Sequence, residues 1–145
     1  MPQAGEQSFL VVRLGSLGDL IHALPAVAAL RSGFPRARLD WVVERKWSTL
    51  VELVTVVDNV IPWRRGFADS LAGLRDLRRR DYSCVIDFQG LYKSALLARF
   101  SGAPERIGFD SRFAREPGAS RFYTQRVIPS GKHVAEMNLS LAVAA

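Results

Sequence analysis

The chain has 145 residues, of which 48% are hydrophobic and 23% are charged, and its formal net charge is +6. This composition fits one globular domain and excludes an intrinsically disordered chain, a collagen-like chain and a repeat array. A single cysteine and two histidines exclude a disulfide framework and argue against a metal site. No segment approaches the roughly 18 consecutive apolar residues of a membrane-spanning helix. Residues 1–8 lack the basic residues of a secretory signal, so we expect a soluble, intracellular protein.

The positive charge is almost entirely arginine, which supplies 17 of the 20 basic residues. Arginine binds carboxylate and phosphate groups through paired hydrogen bonds, whereas lysine acts as a point charge. The arginine content therefore indicates either an acidic or phosphorylated partner or a solvated surface, and composition leaves both interpretations open.

Strand-like and helix-like hydrophobic patterns alternate along the chain. In chain order, the first half predicts a strand at 9–13, a glycine loop at 14–18, a helix at 19–31, a strand at 38–43, a helix at 47–54 and a strand at 59–61. The second half predicts a helix at 68–80, a strand at 83–88, a helix at 91–100, strands at 106–108 and 126–128, and a helix at 133–145. Pro25 should delay or kink the first helix, and Pro62 should end the third strand. In the helix at 68–80, Leu71, Leu74 and Leu77 are expected to face inward.

Strands that alternate with helices predict a parallel sheet with helices on both faces, the Rossmann-like, doubly wound α/β class. Ligands bind such sheets beyond the carboxyl ends of the strands. The candidate site residues therefore follow the predicted strands directly, at residues 15–19, Glu44, residues 63–65 and residues 89–94.

Asp19 lies where the glycine loop meets the first predicted helix. The loop contains neither the Gly-x-Gly-x-x-Gly fingerprint of dinucleotide sites nor the Gly-Lys-Ser/Thr of a P-loop. Asp19 can be a helix N-cap, or a carboxylate that the helix dipole keeps ionised as a general base. His22 lies on the same helical face and can either bond to Asp19 or simply pack.

Basic residues follow the third and fourth predicted strands. Arg64 and Arg65 come directly after the third strand, where an arginine pair suits the capture of an anion but also suits a solvated loop. Lys93 lies near the start of the helix after the fourth strand, and helix N-termini attract anions. The three arginines at 78–80 end an amphipathic helix, where basic residues complement the helix dipole, so we expect a structural role for them.

Several segments together resemble one known family. Residues 18–25 (Gly-Asp-Leu-Ile-His-Ala-Leu-Pro) are similar to the Gly-Asp-x-x-His-x-Leu-Pro signature of the heptosyltransferases of glycosyltransferase family 9. The likeness continues in the same order at 40–44 (Asp-Trp-Val-Val-Glu), 60–62 (Val-Ile-Pro), 85–95 (Val-Ile-Asp-Phe-Gln-Gly-Leu-Tyr-Lys-Ser-Ala), 114–117 (Ala-Arg-Glu-Pro), 122–123 (Phe-Tyr) and His133. Each motif is weak alone, but the set covers nearly the whole chain.

The resemblance implies the N-terminal domain of a GT-B glycosyltransferase. Residues 1–145 would be the acceptor-binding Rossmann-like domain, and a C-terminal nucleotide-sugar domain would lie outside this chain, which alone would be inactive. The implied reaction is an inverting, metal-independent transfer of L-glycero-D-manno-heptose from ADP-heptose to a Kdo residue of the lipopolysaccharide inner core (Kdo-lipid A). No cofactor would be needed, and the donor would be bound mainly by the absent domain. The enzyme would be cytoplasmic, in peripheral contact with the inner membrane.

The resemblance also implies roles for individual residues. Asp19 matches the catalytic base, which would take the proton from the attacking Kdo hydroxyl. The acceptor-binding positions would be Ser16, Arg64, Arg65, Lys93, Arg115 and His133. Arginine suits the carboxylates and phosphates of that acceptor.

Two other hypotheses remain open from the sequence. The first is a related family 9 transferase of the heptosyltransferase II type with another core acceptor. The second is a stand-alone Rossmann-like module for nucleotides or nucleic acid, in which Glu44 would bind a ribose. The missing glycine fingerprint counts against a nucleotide, and arginines without interleaved aromatic residues count against a nucleic-acid partner.

Overall fold

The computed structural model describes residues 6–145, which form one six-stranded parallel sheet flanked by helices. The strands are β1 (Ser8–Val12), β2 (Arg38–Glu44), β3 (Asn59–Trp63), β4 (Cys84–Asp87), β5 (Glu105–Phe109) and β6 (Gln125–Val127). The helices are α1 (Leu17–Gly33), α2 (Arg45–Val51), α3 (Phe67–Arg79), α4 (Tyr92–Phe100) and α5 (Val134–Ala144), with a 3-10 helix at Pro117–Phe122. The strand order β3-β2-β1-β4-β5-β6 confirms the predicted Rossmann-like class.

The sheet is buried on both faces, which explains why its central strands are continuous apolar runs. One face packs against α1 and α5 through residues such as Val11, Val27 and Leu141. The other face packs against α3 and α4 through Leu10, Leu77 and Leu97. Among residues 6–145, no helix is long and apolar enough to cross a membrane.

The topological switch point lies between β1 and β4, the two strands at the centre of the sheet. Val12 of β1 is level with Asp87 of β4, so both strands end at the same edge. The backbone continues this alignment, because the Phe88 N–H donates to the Val12 carbonyl at 3.1 Å. The loops after β1 and β4 are therefore neighbours, which is where such folds bind ligands.

Helix α1 begins earlier than predicted. It begins at Leu17, two residues earlier than expected, and runs without interruption through Pro25 to Gly33. Proline removes one backbone donor and leaves the carbonyl four residues earlier unpaired. Ile21 and Pro25 are both exposed residues. The predicted late start was wrong, and a kink at Pro25 stays a prediction.

Two predictions on the α3 side were also wrong. Pro62 does not end β3, which continues to Trp63, because β3 is an edge strand and pairs only with β2. Leu77 is fully buried in α3 and Leu74 packs against the same core, as predicted, but Leu71 is 42% exposed. The 3-10 helix at Pro117–Phe122 had no predicted counterpart, because a single short turn carries no periodicity.

We expect the free energy of unfolding of Asp58→Asn to fall less steeply than that of the unaltered chain as the pH is lowered below neutral. Partial burial alone would raise the pKa of the Asp58 carboxyl, but the Leu39 N–H at 2.8 Å and the Arg31 guanidinium at 2.7 Å outweigh it and lower that pKa. The folded-state pKa is thus below the unfolded one, so the carboxylate stabilises the fold above the unfolded-state pKa. This stability is lost as the pH falls through the folded-state pKa.

Urea titrations at a series of pH values between neutral and about 3 would measure the effect. The side chain is nearly half exposed, so the difference at neutral pH should stay below about 1 kcal/mol. An acid limb that is equally steep in both proteins would contradict the expectation.

Candidate active site

The first part of the site is the N-terminal turn of α1. Ser16 is the N-cap residue and Asp19 is the third residue of the helix, so the interpretation of Asp19 as the N-cap itself was wrong. One carboxylate oxygen, Oδ2, accepts from the Ser16 N–H at 3.2 Å and from the Ser16 hydroxyl at 3.0 Å. A carboxylate in the first turn of a helix is stabilised by the helix dipole. The turn therefore fixes the carboxylate of Asp19 at the edge of the sheet.

Two arginines from distant parts of the chain bind the same carboxylate. Arg13 follows β1 and places Nη2 at 2.6 Å from Asp19 Oδ2. Arg115 lies in the segment between β5 and the 3-10 helix, and its Nη2 donates to Asp19 Oδ1 at 3.1 Å. The Arg13 side chain is only 5% exposed, whereas that of Arg115 is 56% exposed. One of the two cations is thus part of the interior and the other is open to solvent.

These contacts determine the protonation state of Asp19. Partial burial by itself raises the pKa of the carboxyl, but the charge of Arg13, the two hydrogen bonds from Ser16 and the charge of Arg115 outweigh it. The pKa of Asp19 is therefore lowered from its ordinary value, and the group is ionised at neutral pH. An ionised carboxylate at the switch point can accept a proton from a bound hydroxyl group.

A buried hydrogen-bond network holds the loop after β4 next to these residues. Asp87 is fully buried and accepts from the Gln89 and Gly90 N–H groups, from the Ser94 hydroxyl and, at 2.5 Å, from the Tyr123 hydroxyl. Ser94 belongs to α4 and Tyr123 follows the 3-10 helix, so one carboxylate connects three segments. The Phe88 carbonyl, next to Asp87 in the chain, accepts from Arg13 Nη1 at 2.9 Å.

Gly90 allows the segment that carries Arg115 to come close. Its φ of +69° favours glycine, and a Cβ at this position would lie 3.2 Å from the backbone nitrogen of Arg115. The Glu116 N–H donates to the Gly90 carbonyl at 3.0 Å. The Asp87 network and Gly90 together explain how a residue 96 positions away in sequence reaches Asp19.

The second part of the site is a cluster of basic residues around Glu44, at the end of β2. Three cationic groups surround its carboxylate: Lys46 at 3.7 Å, Arg65 at 3.5 Å and Lys93 at 4.0 Å. Because Glu44 neutralises only one of these charges, the cluster keeps a positive excess. Gly15 connects the two parts of the site, since a Cβ there would lie 3.9 Å from the Glu44 carboxyl carbon, and the next residue contacts Asp19.

Arg64 lines an open cavity beside this cluster. The cavity has a volume of about 450 Å³ and is also lined by Glu44, Lys46 and Arg65. Arg64 is exposed, and within residues 6–145 no ion pair to it is recorded. Four cations line the cavity (Arg45, Lys46, Arg64 and Arg65) against two carboxylates (Glu44 and Asp69), so it keeps a positive excess in which the Arg64 guanidinium can bind an anion.

His133 is the predicted site residue that the structure keeps apart from the others. It is the N-cap of α5, and its Nδ1 accepts from the Ala135 N–H at 3.2 Å. Its ring meets that of His22 edge to face, with 5.4 Å between centroids. Neither histidine has a recorded bond to Asp19 in the described part of the chain. This supports packing for His22, and acceptor binding by His133 stays a prediction.

Sequence reasoning missed Arg13 and did not foresee the arrangement around Glu44. The signal for Arg13 was its position at the carboxyl end of an otherwise apolar strand. Burying an arginine side chain there costs free energy unless a partner is present. Glu44 was considered as a ribose ligand, but its ion pairs with three cations give it another role. Among residues 6–145 no cluster of three metal-ligating side chains occurs.

Comparison with known proteins identifies the family of the chain. The model of glycosyltransferase family 9 (heptosyltransferase) matches residues 71–145. Lipopolysaccharide heptosyltransferase 1 of Pseudomonas aeruginosa is 39% identical over 145 residues, covering 91% of this chain and 41% of the relative. The enzyme of the same name from Escherichia coli K12 is 34% identical, with 91% of this chain and 45% of the relative covered.

A solved structure extends the likeness to three dimensions. The E. coli heptosyltransferase WaaC with ADP-2-deoxy-2-fluoro heptose superposes with a TM-score of 0.85 at 32% identity, over 95% of this chain and 48% of that one. The chain spans less than half the length of the curated relatives it matches. The family match over half of the chain, the motifs and the shared fold establish that this chain belongs to glycosyltransferase family 9, the heptosyltransferases.

Proposed function

We propose that the chain is the acceptor-binding half of an inverting heptosyltransferase that transfers L-glycero-D-manno-heptose from ADP-heptose to a Kdo residue of Kdo-lipid A. The observation that carries the proposal is an ionised Asp19 at the switch point, held by Arg13 and Arg115 beside an arginine- and lysine-rich edge. Family membership supports the sugar transfer, and the two curated relatives cited above are both named lipopolysaccharide heptosyltransferase 1.

The proposed reaction is a single displacement. A Kdo hydroxyl oxygen attacks the anomeric carbon of the heptose, forming the new glycosidic bond as the bond to the ADP phosphate oxygen breaks. Asp19 takes the hydroxyl proton, and the electron pair of the broken bond leaves with ADP. The attack comes from the face opposite the leaving group, so the anomeric configuration inverts. General base catalysis of this kind typically contributes about 10²–10⁴-fold in rate.

The basic residues fit an acidic acceptor. Kdo carries a carboxylate and lipid A carries phosphates, and arginine binds both groups in a planar, paired geometry. Arg64 and Arg65 line the open cavity of about 450 Å³, and Arg65 and Lys93 share the carboxylate of Glu44. Ser16 holds Asp19, and in our proposal its hydroxyl also contacts the acceptor.

The donor, the absence of a metal and the location belong to the same proposal. We propose that ADP-heptose is bound mainly by a second domain and that the reaction needs no metal ion. A lipid acceptor at the membrane surface requires an enzyme in peripheral contact with the cytoplasmic face of the inner membrane. Surface arginines support such contact, because anionic headgroups attract basic residues.

The direct test is transfer by a two-domain chimaera, in which residues 1–145 are followed by the C-terminal part of the Pseudomonas aeruginosa relative. We expect mass spectrometry to detect one added heptose on Kdo-lipid A, with release of one ADP per transfer. The P. aeruginosa enzyme is the positive control, and the 145-residue chain alone should give no product. A folded chimaera that transfers nothing while the control is active would contradict the proposed function.

We expect Arg64→Ala to weaken the binding of deacylated Kdo-lipid A to the chain and to reduce the salt dependence of that binding. Exposed charges are screened by salt, so removing one anion-binding cation removes part of the screened attraction. Calorimetric titration at several salt concentrations would measure both quantities. Arg99→Ala, at the last turn of α4, is the control for net charge. Equal affinities for the unaltered chain and Arg64→Ala would contradict anion capture at this position.

A further inference from the structure

We propose that Arg115 is a positioning residue that the acceptor removes from the catalytic base. In the free chain its guanidinium covers Asp19, and the carboxylate of the bound acceptor takes it over, so that the base is uncovered only when the acceptor is in place. This inference rests on the proposed function and adds to it a substrate-dependent control of Asp19.

The two oxygens of Asp19 are used differently. Oδ2 has three partners: the Arg13 guanidinium at 2.6 Å, and the hydroxyl and N–H groups of Ser16 at 3.0 and 3.2 Å. For Oδ1 the contacts of residues 6–145 include a single hydrogen-bond donor, Arg115 Nη2 at 3.1 Å. Oδ1 is therefore the oxygen that is available to a substrate hydroxyl, and Arg115 is the group that stands in the way.

Only one of the two arginines is free to leave. The Arg13 side chain is buried and also donates to the Phe88 carbonyl. Moving it would leave that buried carbonyl without a donor and the buried guanidinium without its carboxylate. The Arg115 side chain is more than half exposed, and its bond to Asp19 is its one recorded side-chain contact in the described residues. An exposed ion pair of this kind adds little stability and exchanges readily with another anion.

The covered state is a poor base. The charged groups that contact Asp19 are Arg13 and Arg115, while His22 lies one turn further along α1 and its ring meets His133 of α5. Both arginines lower the pKa of Asp19. Moving Arg115 away raises the proton affinity of the carboxylate, and a stronger base removes a hydroxyl proton more readily.

The chemistry of the ligand follows from this exchange. The ligand has to offer an anionic group that replaces the Asp19 oxygen that Arg115 gives up, and a carboxylate matches that group in kind. It also needs a hydroxyl group close to that carboxylate, so that the hydroxyl reaches Oδ1 as the guanidinium leaves. A sugar acid such as Kdo has both groups, whereas a neutral sugar has only the hydroxyl.

The experiment is a double-mutant cycle on Kdo binding to the 145-residue chain at neutral pH. Calorimetry would give the Kd of Kdo for the unaltered chain, Asp19→Asn, Arg115→Gln and the double variant. Because Asp19 competes with Kdo for Arg115, we expect Asp19→Asn to bind Kdo about two- to five-fold more tightly. In Arg115→Gln, Asp19 no longer competes with Kdo for the guanidinium of residue 115. We therefore expect Asp19→Asn to give less than half of this gain in Kdo affinity in that background.

The cycle separates this coupling from simpler effects. Asp19→Asn could also act only by removing a negative charge at residue 19 or a contact with the ligand. In that case it would change the Kd of Kdo by the same factor with and without Arg115. Arg99→Gln is the matched control, since Arg99 lies in the last turn of α4, outside the proposed acceptor site, and should leave the effect of Asp19→Asn unchanged. Thermal unfolding checks the fold of each variant. If Asp19→Asn unfolds the chain, Asp19→Ser keeps a hydrogen-bond acceptor there and enters the same cycle.

Each outcome is decisive. Kdo binding with equal Asp19→Asn effects in all backgrounds overturns the control by Arg115 and leaves the proposed function standing. No Kdo binding by the unaltered chain overturns the proposed acceptor and this inference with it. Mannose, a neutral sugar, should not bind. The same coupling with inorganic phosphate would overturn the assignment to a carboxylate.

Discussion

We expect Asp19→Asn to reduce heptose transfer by the two-domain chimaera by about 10²–10⁴-fold, because the variant lacks the group that takes the hydroxyl proton. Asparagine keeps the size of the side chain and an oxygen that can accept from Arg13 and Ser16, both of which hold Asp19 Oδ2. The loss should therefore appear in kcat, with the acceptor still bound. Initial rates of ADP release at saturating acceptor would measure it.

The choice of asparagine is important for this test. Asp19→Ala also removes the recorded ion-pair partner of the buried Arg13, and breaking such a pair typically costs about 3–5 kcal/mol. Because Asp19 itself is partly exposed, the cost here should lie at the lower end or below. Loss of activity in Asp19→Ala can thus reflect a weakened fold. Transfer by Asp19→Asn at the unaltered rate would eliminate Asp19 as the base.

We expect Asp87→Ala to lower the free energy of unfolding of the chain by at least about 3 kcal/mol. The substitution leaves three donors without their acceptor, namely the Gln89 and Gly90 N–H groups and the Tyr123 hydroxyl, while the Ser94 hydroxyl keeps the Leu91 carbonyl as an acceptor. Each buried donor left unpaired typically costs about 1–3 kcal/mol. Urea denaturation followed by circular dichroism would measure the change from the transition midpoint.

Tyr123→Phe is the matched control for this substitution. It removes one donor and leaves the Asp87 carboxylate with three, so the loss should be smaller, about 1–2 kcal/mol. The Asp87 network also holds the loop that contacts the Arg115 segment, so Asp87→Ala should weaken acceptor binding in addition. Equal stabilities for Asp87→Ala and Tyr123→Phe would show that the tyrosine bond alone accounts for the network.

The sequence predicted the fold class because its signals are local. Apolar runs alternate with amphipathic segments, and each period is visible within a window of a dozen residues. All six strands and five helices were found, with ends that differ by up to three residues. The errors occurred where solvent exposure decides, as at Leu71 in α3 and at Pro62 in an edge strand. Exposure of a single residue is a property of the packed molecule.

The candidate site was predictable in part. Residues after the strands were expected at one edge, and Asp19, Arg65 and Lys93 do lie there in charged clusters. The family motif implied the role of Asp19, which remains a prediction. The partners of Asp19 were not foreseen, because Arg13 appeared to be part of an apolar strand and Arg115 is 96 residues away.

The sequence by itself determined the alternation of strands and helices, the position of an acidic residue at a helix start and an arginine-rich composition. These properties depend on neighbours along the chain. Only the tertiary structure decided that one arginine beside Asp19 is buried while the other is exposed, and that three cations share Glu44. The physical reason is that electrostatic interactions depend on distance and burial in space, and the parallel sheet brings β1, β2 and β4 to a common edge whatever their separation in sequence.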